Sequence, residues 1–99
     1  MNLFAYGSLI EPEVQARVFG CPRIGEIDWV DGYGLEAIAH NGVQQVRAFP
    51  KEGGRLRGQR VALSDAELRS ADLYEGDAYV RKVVTLESGA RAWMYVRPS

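Results

Sequence analysis

Ten residues, Asp72-Leu73-Tyr74-Glu75-Gly76-Asp77-Ala78-Tyr79-Val80-Arg81, hold three carboxylates and two phenols just before an apolar run. A carboxylate beside that much aromatic surface reads in two ways. It is a solvated turn residue, as charged side chains mostly are, or it sits in a partly dry pocket. There desolvation raises its pKa toward the value a general base needs near neutral pH. Glu75, flanked by Tyr74 and Tyr79, is the first candidate for that base, with Asp72 and Asp77 as rivals. Asp72 falls toward a helix C-terminus, where negative charge is disfavoured, and reads better as a solvated or hydrogen-bonded structural residue.

A second chemical stretch lies about seventy residues earlier. Phe4-Ala5-Tyr6-Gly7-Ser8-Leu9 takes the chain from a short apolar run through a Gly-Ser turn toward a helix start. Backbone N–H groups in such a turn lack helical partners and can receive a small anion such as a carboxylate. The plainer alternative is an ordinary strand-to-helix connection. His40, beside Asn41-Gly42, reads as a loop residue rather than a catalyst, and Cys21, before Pro22, reads as a small hydrophobe with no activating neighbour. No HExxH, P-loop, GxGxxG or EF-hand pattern occurs, so neither a metal nor a nucleotide cofactor is expected.

The elements that position these residues follow from local signals. Leu3-Phe4-Ala5-Tyr6 predicts a buried strand, and Glu11 to Gly20 a short helix with Pro12 near its start, acids in its first turn and Gly at its end. From Arg23 to Phe49 the pattern is β, with turns expected at Asp31-Gly32 and Asn41-Gly42. Pro50 to Gly54 reads as a loop and Gly58 to Leu63 as a further strand. Ser64-Asp65-Ala66-Glu67 has the form of a capping box, predicting a helix from Asp65 to Asp72 or Leu73 with Gly76 as a stop signal. Tyr79 to Leu86 and Arg91 to Val96 read as strands around a turn at Glu87 to Ala90. Trp29, Trp93 and Tyr95 are assigned to the core, with Trp93 and Tyr95 on the face opposite Met94.

Together these give an α+β domain over residues 1–99, with a small mixed β-barrel core and two short helices. Curling of the sheet protects edges that two helices cannot cover. The 99 residues suit one domain, and 46% hydrophobic residues suffice for one core. Twelve Lys and Arg against thirteen Asp and Glu, without a basic run, argue against a nucleic-acid partner. One cysteine allows no internal disulfide. Met1 to Gly7 lacks the basic and apolar regions of a signal peptide or membrane anchor, so a cytoplasmic location without membrane association is expected. The pattern fixes neither strand order nor oligomeric state.

Tyr6-Gly7-Ser8-Leu9 and Leu73-Tyr74-Glu75-Gly76, followed by Tyr79-Val80-Arg81, resemble the gamma-glutamylcyclotransferase-like family in order and separation. The resemblance implies a β-barrel core with helices around it and a γ-glutamyl small molecule as substrate. It implies that Tyr6, Gly7, Ser8 and Leu9 form the substrate-binding loop, whose N–H groups receive the α-carboxylate. Glu75 matches the catalytic acid that takes a proton from the α-ammonium, so that ring closure yields 5-oxoproline and releases an amine or amino acid. Tyr79 would line the pocket, and Arg81 would do so or serve as an ion-pair partner. Ala71 departs from the Leu that the family often has there. The alternative expectation is a non-catalytic domain that binds a small metabolite in the same pocket.

Overall fold

The computed structural model describes every residue except Asn41 and the side chain of His40. The turn expected at Asn41-Gly42 and the reading of His40 therefore lie outside the described residues. The chain forms β1 (Asn2–Ala5), α1 (Pro12–Phe19), β2 (Glu26–His40), β3 (Val43–Ala62), α2 (Asp65–Glu75), β4 (Val80–Thr85) and β5 (Arg91–Val96). Single 3₁₀ turns at Ser8–Ile10 and Gly76–Ala78 adjoin the two helices. Among the described residues, no helix is long and apolar enough to cross a membrane.

The five strands lie in the order β2-β3-β1-β5-β4. β1 runs antiparallel to β3, with Leu3 opposite Val61, and parallel to β5, with Leu3 opposite Trp93. β3 is long enough to pair with β1 near its end and also with β5 at Ala48 and Val96. Because β3 pairs with β1 and also with β5 on the far side of β1, the sheet curls into a half-barrel, as the α+β reading expects. The period-two alternation of the strands then builds a core on each face. Leu3, Ala5, Val61 and Tyr95 pack with Leu9, Val14, Leu68 and Ala71 from the helical side. Phe4, Val30, Leu56, Val84, Ala92, Met94 and Val96 fill the other face. Trp93 and Tyr95 thus lie opposite Met94, as expected.

Three local expectations are corrected. Asp31-Gly32 is not a turn between strands. Pairing shifts there from Asp31 opposite Arg55 to Tyr33 opposite Pro50, so residues 51–54 bulge within β3 against Gly32 alone. Gly32 has φ 87°, a conformation that an irregularity in strand pairing can use as well as a tight turn, so the dipeptide does not distinguish them. For the same reason Pro50 to Gly54 is part of β3 rather than a loop between strands. Third, α2 continues to Glu75, two residues beyond the expected end, where the Gly76 N–H bonds the Asp72 carbonyl.

The helix starts are as read. Ser64 Oγ accepts from the Glu67 N–H at 3.2 Å while Glu67 Oε1 accepts from the Ser64 N–H at 2.9 Å, completing the capping box. Arg23 pairs with the same Glu67, tying the segment after α1 to the start of α2.

Asp28, unremarked in the sequence, is a buried carboxylate on β2. It accepts from Ser88 Oγ at 2.5 Å, the Trp29 N–H at 2.8 Å, Arg60 Nε at 3.2 Å and the Ser88 N–H at 3.3 Å. Burial alone would raise its pKa, but these donors outweigh burial and hold it below the ordinary value. Its lowered pKa makes its contribution to stability full above the ordinary carboxylate range and lost as pH falls through the folded value. Asp28→Ala is expected to cost about 2 to 3 kcal/mol at neutral pH, since it strands several donors at once. Urea unfolding at neutral pH and near pH 3 should show that the difference shrinks in acid.

Candidate active site

β1 ends at Ala5 and α1 begins at Pro12, and the connection between them contains the 3₁₀ turn Ser8–Ile10. Its Ile10 and Glu11 N–H groups bond the Gly7 and Ser8 carbonyls. The N–H groups of Gly7, Ser8 and Leu9 have no acceptor among the described residues. Leu9 drives its side chain into the core, which fixes the loop from beneath. A buried glutamine fixes it from the side: Gln15 Nε2 donates to the Leu9 carbonyl at 2.9 Å, and Gln15 Oε1 accepts from the Arg23 N–H at 2.8 Å. Among α1 residues, Gln15 reads as an ordinary polar helical side chain until the fold places it against the loop.

A pocket of about 400 Å³ opens beside this loop. That lies within the range of roughly 300 to 1,000 Å³ typical of small-molecule sites. Residues 3–11, from Leu3 through the Tyr6 to Leu9 loop to Glu11, line one side, Ala37 of β2 with Gln44, Gln45 and Val46 of β3 another, and Glu75, Tyr79 and Tyr95 complete it. The loop and Glu75, separated by almost seventy residues, thus border one cavity.

Glu75 makes no hydrogen bond or ion pair to another described residue, and burial pushes its carboxyl up to about 7. As the last residue of α2 it also faces the negative end of the helix dipole, which acts in the same direction. Its negative charge is felt by the surrounding phenols of Tyr6, Tyr79 and Tyr95. Burial is the main cause in each case, and Tyr79 is pushed up to about 12. All three phenols stay protonated at neutral pH and can serve only as neutral donors, acceptors and walls.

Their hydroxyls are largely committed to the backbone. Tyr6 donates to the Tyr95 carbonyl at 2.5 Å and accepts from the Ala48 N–H at 2.9 Å, clasping β5 to β3 above the cavity. Tyr79 donates to the Val46 carbonyl at 2.9 Å, with Gln45 Oε1 at 3.1 Å. The rings of both residues therefore shape the pocket while their oxygens hold its walls. Tyr6→Phe would strand two buried backbone groups, and a loss of about 1 to 3 kcal/mol is expected in a urea titration.

Asp72 lies one helical turn before Glu75. It accepts from two Arg81 nitrogens, Nε at 2.8 Å and Nη2 at 3.0 Å, and from the Tyr95 O–H at 2.7 Å. Burial would raise its pKa, yet the bonds from Arg81 and Tyr95 hold it below the ordinary value. Two carboxylates on one helix are thereby driven apart, the paired one ionised and the bare one poised near neutrality. Arg81, stacked 4.1 Å over the Trp93 ring, acts in this ion pair and does not line the pocket. Asp77 is exposed and Cys21 is exposed as a free thiol, contrary to its reading as a buried hydrophobe. Two further supports had no sequence signal. Arg47 Nη1 donates to the Ala78 carbonyl at 2.9 Å, pinning the turn after Glu75, and Ser8 Oγ lies 2.8 Å from the Tyr74 hydroxyl.

A curled five-stranded sheet thus brings an N–H-lined loop and a carboxylate without a bonding partner to one pocket of small-molecule size. Residues 3–99 match the family model for gamma-glutamyl cyclotransferase, AIG2-like, and the chain belongs to that family. Protein AIG2 A and Protein AIG2 B of Arabidopsis thaliana are 32% and 31% identical to it over 84 residues, which is 84% of this chain. The chain spans 48% of the length of each of those relatives. A structure titled gamma-glutamyl cyclotransferase superposes over the whole chain and 67% of its own length, with a TM-score of 0.83 at 17% identity, a likeness of fold. A solution structure from Arabidopsis thaliana gives 0.78 at 26% identity, covering 97% of this chain and 61% of its own.

Proposed function

We propose that this pocket cyclises a γ-glutamyl group to 5-oxoproline, releasing an amine or amino acid, with Glu75 as the general base and acid. The single observation that carries the reading is the bare, desolvated Glu75 carboxyl bordering the same cavity as the free N–H groups of Gly7, Ser8 and Leu9. Membership of the gamma-glutamyl cyclotransferase, AIG2-like family supports the substrate class.

In this mechanism the loop N–H groups receive the substrate's α-carboxylate, and Glu75 takes a proton from its α-ammonium. The freed nitrogen attacks the γ-carbonyl carbon. The bond from that carbon to the leaving nitrogen then breaks as Glu75 returns its proton to the amine, and the ring nitrogen gives up its second proton to the released amine, which departs as an ammonium. No water is consumed. Five-membered closure is intramolecular, so the site's main work is to hold nucleophile and carbonyl as near-attack partners, which is worth several powers of ten in rate. A carboxyl poised near 7 receives the ammonium proton at far less cost than an ordinary glutamate. Tyr6 and Tyr79 confine the folded substrate, and the Asp72–Arg81 pair fixes the helix that carries the base.

Incubation of the protein with a panel of γ-glutamyl amines and γ-glutamyl amino acids, followed by detection of 5-oxoproline, tests the reading. Turnover that depends on Glu75 supports it. Binding of members of the panel without any 5-oxoproline formed would instead identify a non-catalytic metabolite-binding site.

A further inference from the structure

Ser8 and Tyr74 face each other with oxygens 2.8 Å apart across 66 residues of sequence. Only one proton can lie between two hydroxyl oxygens at that distance. Either Ser8 donates to Tyr74 and has no proton left for the pocket, or Tyr74 donates to Ser8 and leaves the serine proton free. Ser8 lines the cavity, and Tyr74 does not. The Gly7, Ser8 and Leu9 N–H groups beside it make this end of the cavity a donor surface suited to an anion.

We infer that Tyr74 is a positioning residue that orients the Ser8 hydroxyl to donate to a bound carboxylate. The inference deepens the proposed function and rests on its carboxylate-binding loop. With an anion in the loop, the favoured arrangement is a directed chain, Tyr74 O–H to Ser8 Oγ and Ser8 O–H to the carboxylate. A phenol is a better donor than an alcohol, and each bond in such a chain polarises the next. Tyr74 also precedes Glu75 in α2, so the same hydrogen bond fastens the anion loop to the helix that carries the base. The γ-glutamyl carboxylate and the proton acceptor are thereby held at a set separation with no hydrogen bond between loop and Glu75 among the described residues.

The relay acts only on ligands that bear a carboxylate, which separates it from a general structural role. Calorimetric titration with L-5-oxoproline and with 2-pyrrolidone, the same lactam without the carboxylate, reads this directly and needs no turnover. Wild type should prefer 5-oxoproline. Tyr74→Phe should weaken 5-oxoproline about 3- to 10-fold, the range for one net hydrogen bond, and leave 2-pyrrolidone unchanged. In a Ser8→Ala background the added Tyr74→Phe change should have little further effect, since the chain is already broken. Equal preference in wild type and Tyr74→Phe, or full additivity of the two changes, overturns the relay alone. A wild-type protein that does not distinguish the two lactams overturns the carboxylate loop, and with it both this inference and the proposed function.

Discussion

Replacing Glu75 with glutamine is expected to do two opposite things: remove 5-oxoproline formation and make the protein more stable. The amide keeps the shape of the side chain but cannot take the ammonium proton, so a loss of about 10²- to 10⁴-fold in kcat follows from the usual worth of a positioned base. The stability gain follows from the linkage of folding to protonation. The Glu75 carboxyl moves from an ordinary 4.5 to about 7 in the folded chain because burial disfavours its charge. Below about pH 4.5 it is protonated in both states and carries no penalty. As pH rises through the folded value the native state must ionise a half-buried group, and stability is lost. The shift corresponds to roughly 3 kcal/mol as an upper figure, so at about pH 8 Glu75→Gln should exceed wild type by up to that amount. Thermal unfolding at about pH 4 and pH 8 checks it: the variant's advantage should be present only at the higher pH.

The second large effect lies in the frame. A Cβ at Gly58 would stand 2.5 Å from the Ala5 carbonyl oxygen and 2.7 Å from Phe4 Cζ. Gly58 is buried where β3 passes closest to β1, just before the register in which Ala5 faces Gln59. The oxygen belongs to backbone and cannot rotate away, and Phe4 is among the largest fully buried side chains. Gly58→Ala therefore forces β1 away from β3 or moves Phe4 within the core. Overpacking costs about 1 to 3 kcal/mol, and a backbone contact this short places the expected loss near 3. In a chain of this size that is a fall of roughly 12 to 24 °C in Tm. Because β1 leads directly into the Tyr6 to Leu9 loop, the variant should also lose affinity for 5-oxoproline. Thermal unfolding by circular dichroism measures the first effect and calorimetric titration the second. A Gly58→Ala protein with unchanged Tm would mean that β1 and β3 are not held this closely.

Local signals disclosed much of this. The capping box at Ser64 to Glu67, the proline-led start of α1 and the alternation of β1 and β5 each depend on neighbours a few residues apart. The pattern therefore predicts the elements and, through Trp93, Met94 and Tyr95, which face each side chain takes. The sequence also brought out the two halves of the pocket, as a turn with free N–H groups and an acid among phenols. Asp31-Gly32 failed because a hairpin turn and a bulge draw on the same conformational freedom. Glu75 falls just past the helix end that the local signals predict, whereas Gly76 lets α2 run through it.

The supports were hidden for another reason. Arg47 on the Ala78 carbonyl, Tyr6 between Ala48 and Tyr95, and Tyr74 against Ser8 pair residues brought together by the tertiary fold. None has a local signature, because each partner becomes a neighbour only when the sheet curls. Asp72 shows the consequence most clearly. From composition it rivals Glu75, and only its bonds to Arg81 and Tyr95 separate an ionised structural carboxylate from a bare one.

The most direct test is the pH dependence of 5-oxoproline formation by wild type and Glu75→Gln on one γ-glutamyl substrate. The wild-type kcat is predicted to rise with pH to a plateau through an apparent pKa near 7, and Glu75→Gln to lie at least 100-fold below that plateau without the same rise. A Glu75→Gln protein that turns over substrate within a few-fold of wild type, with the same pH profile, would contradict Glu75 as the base.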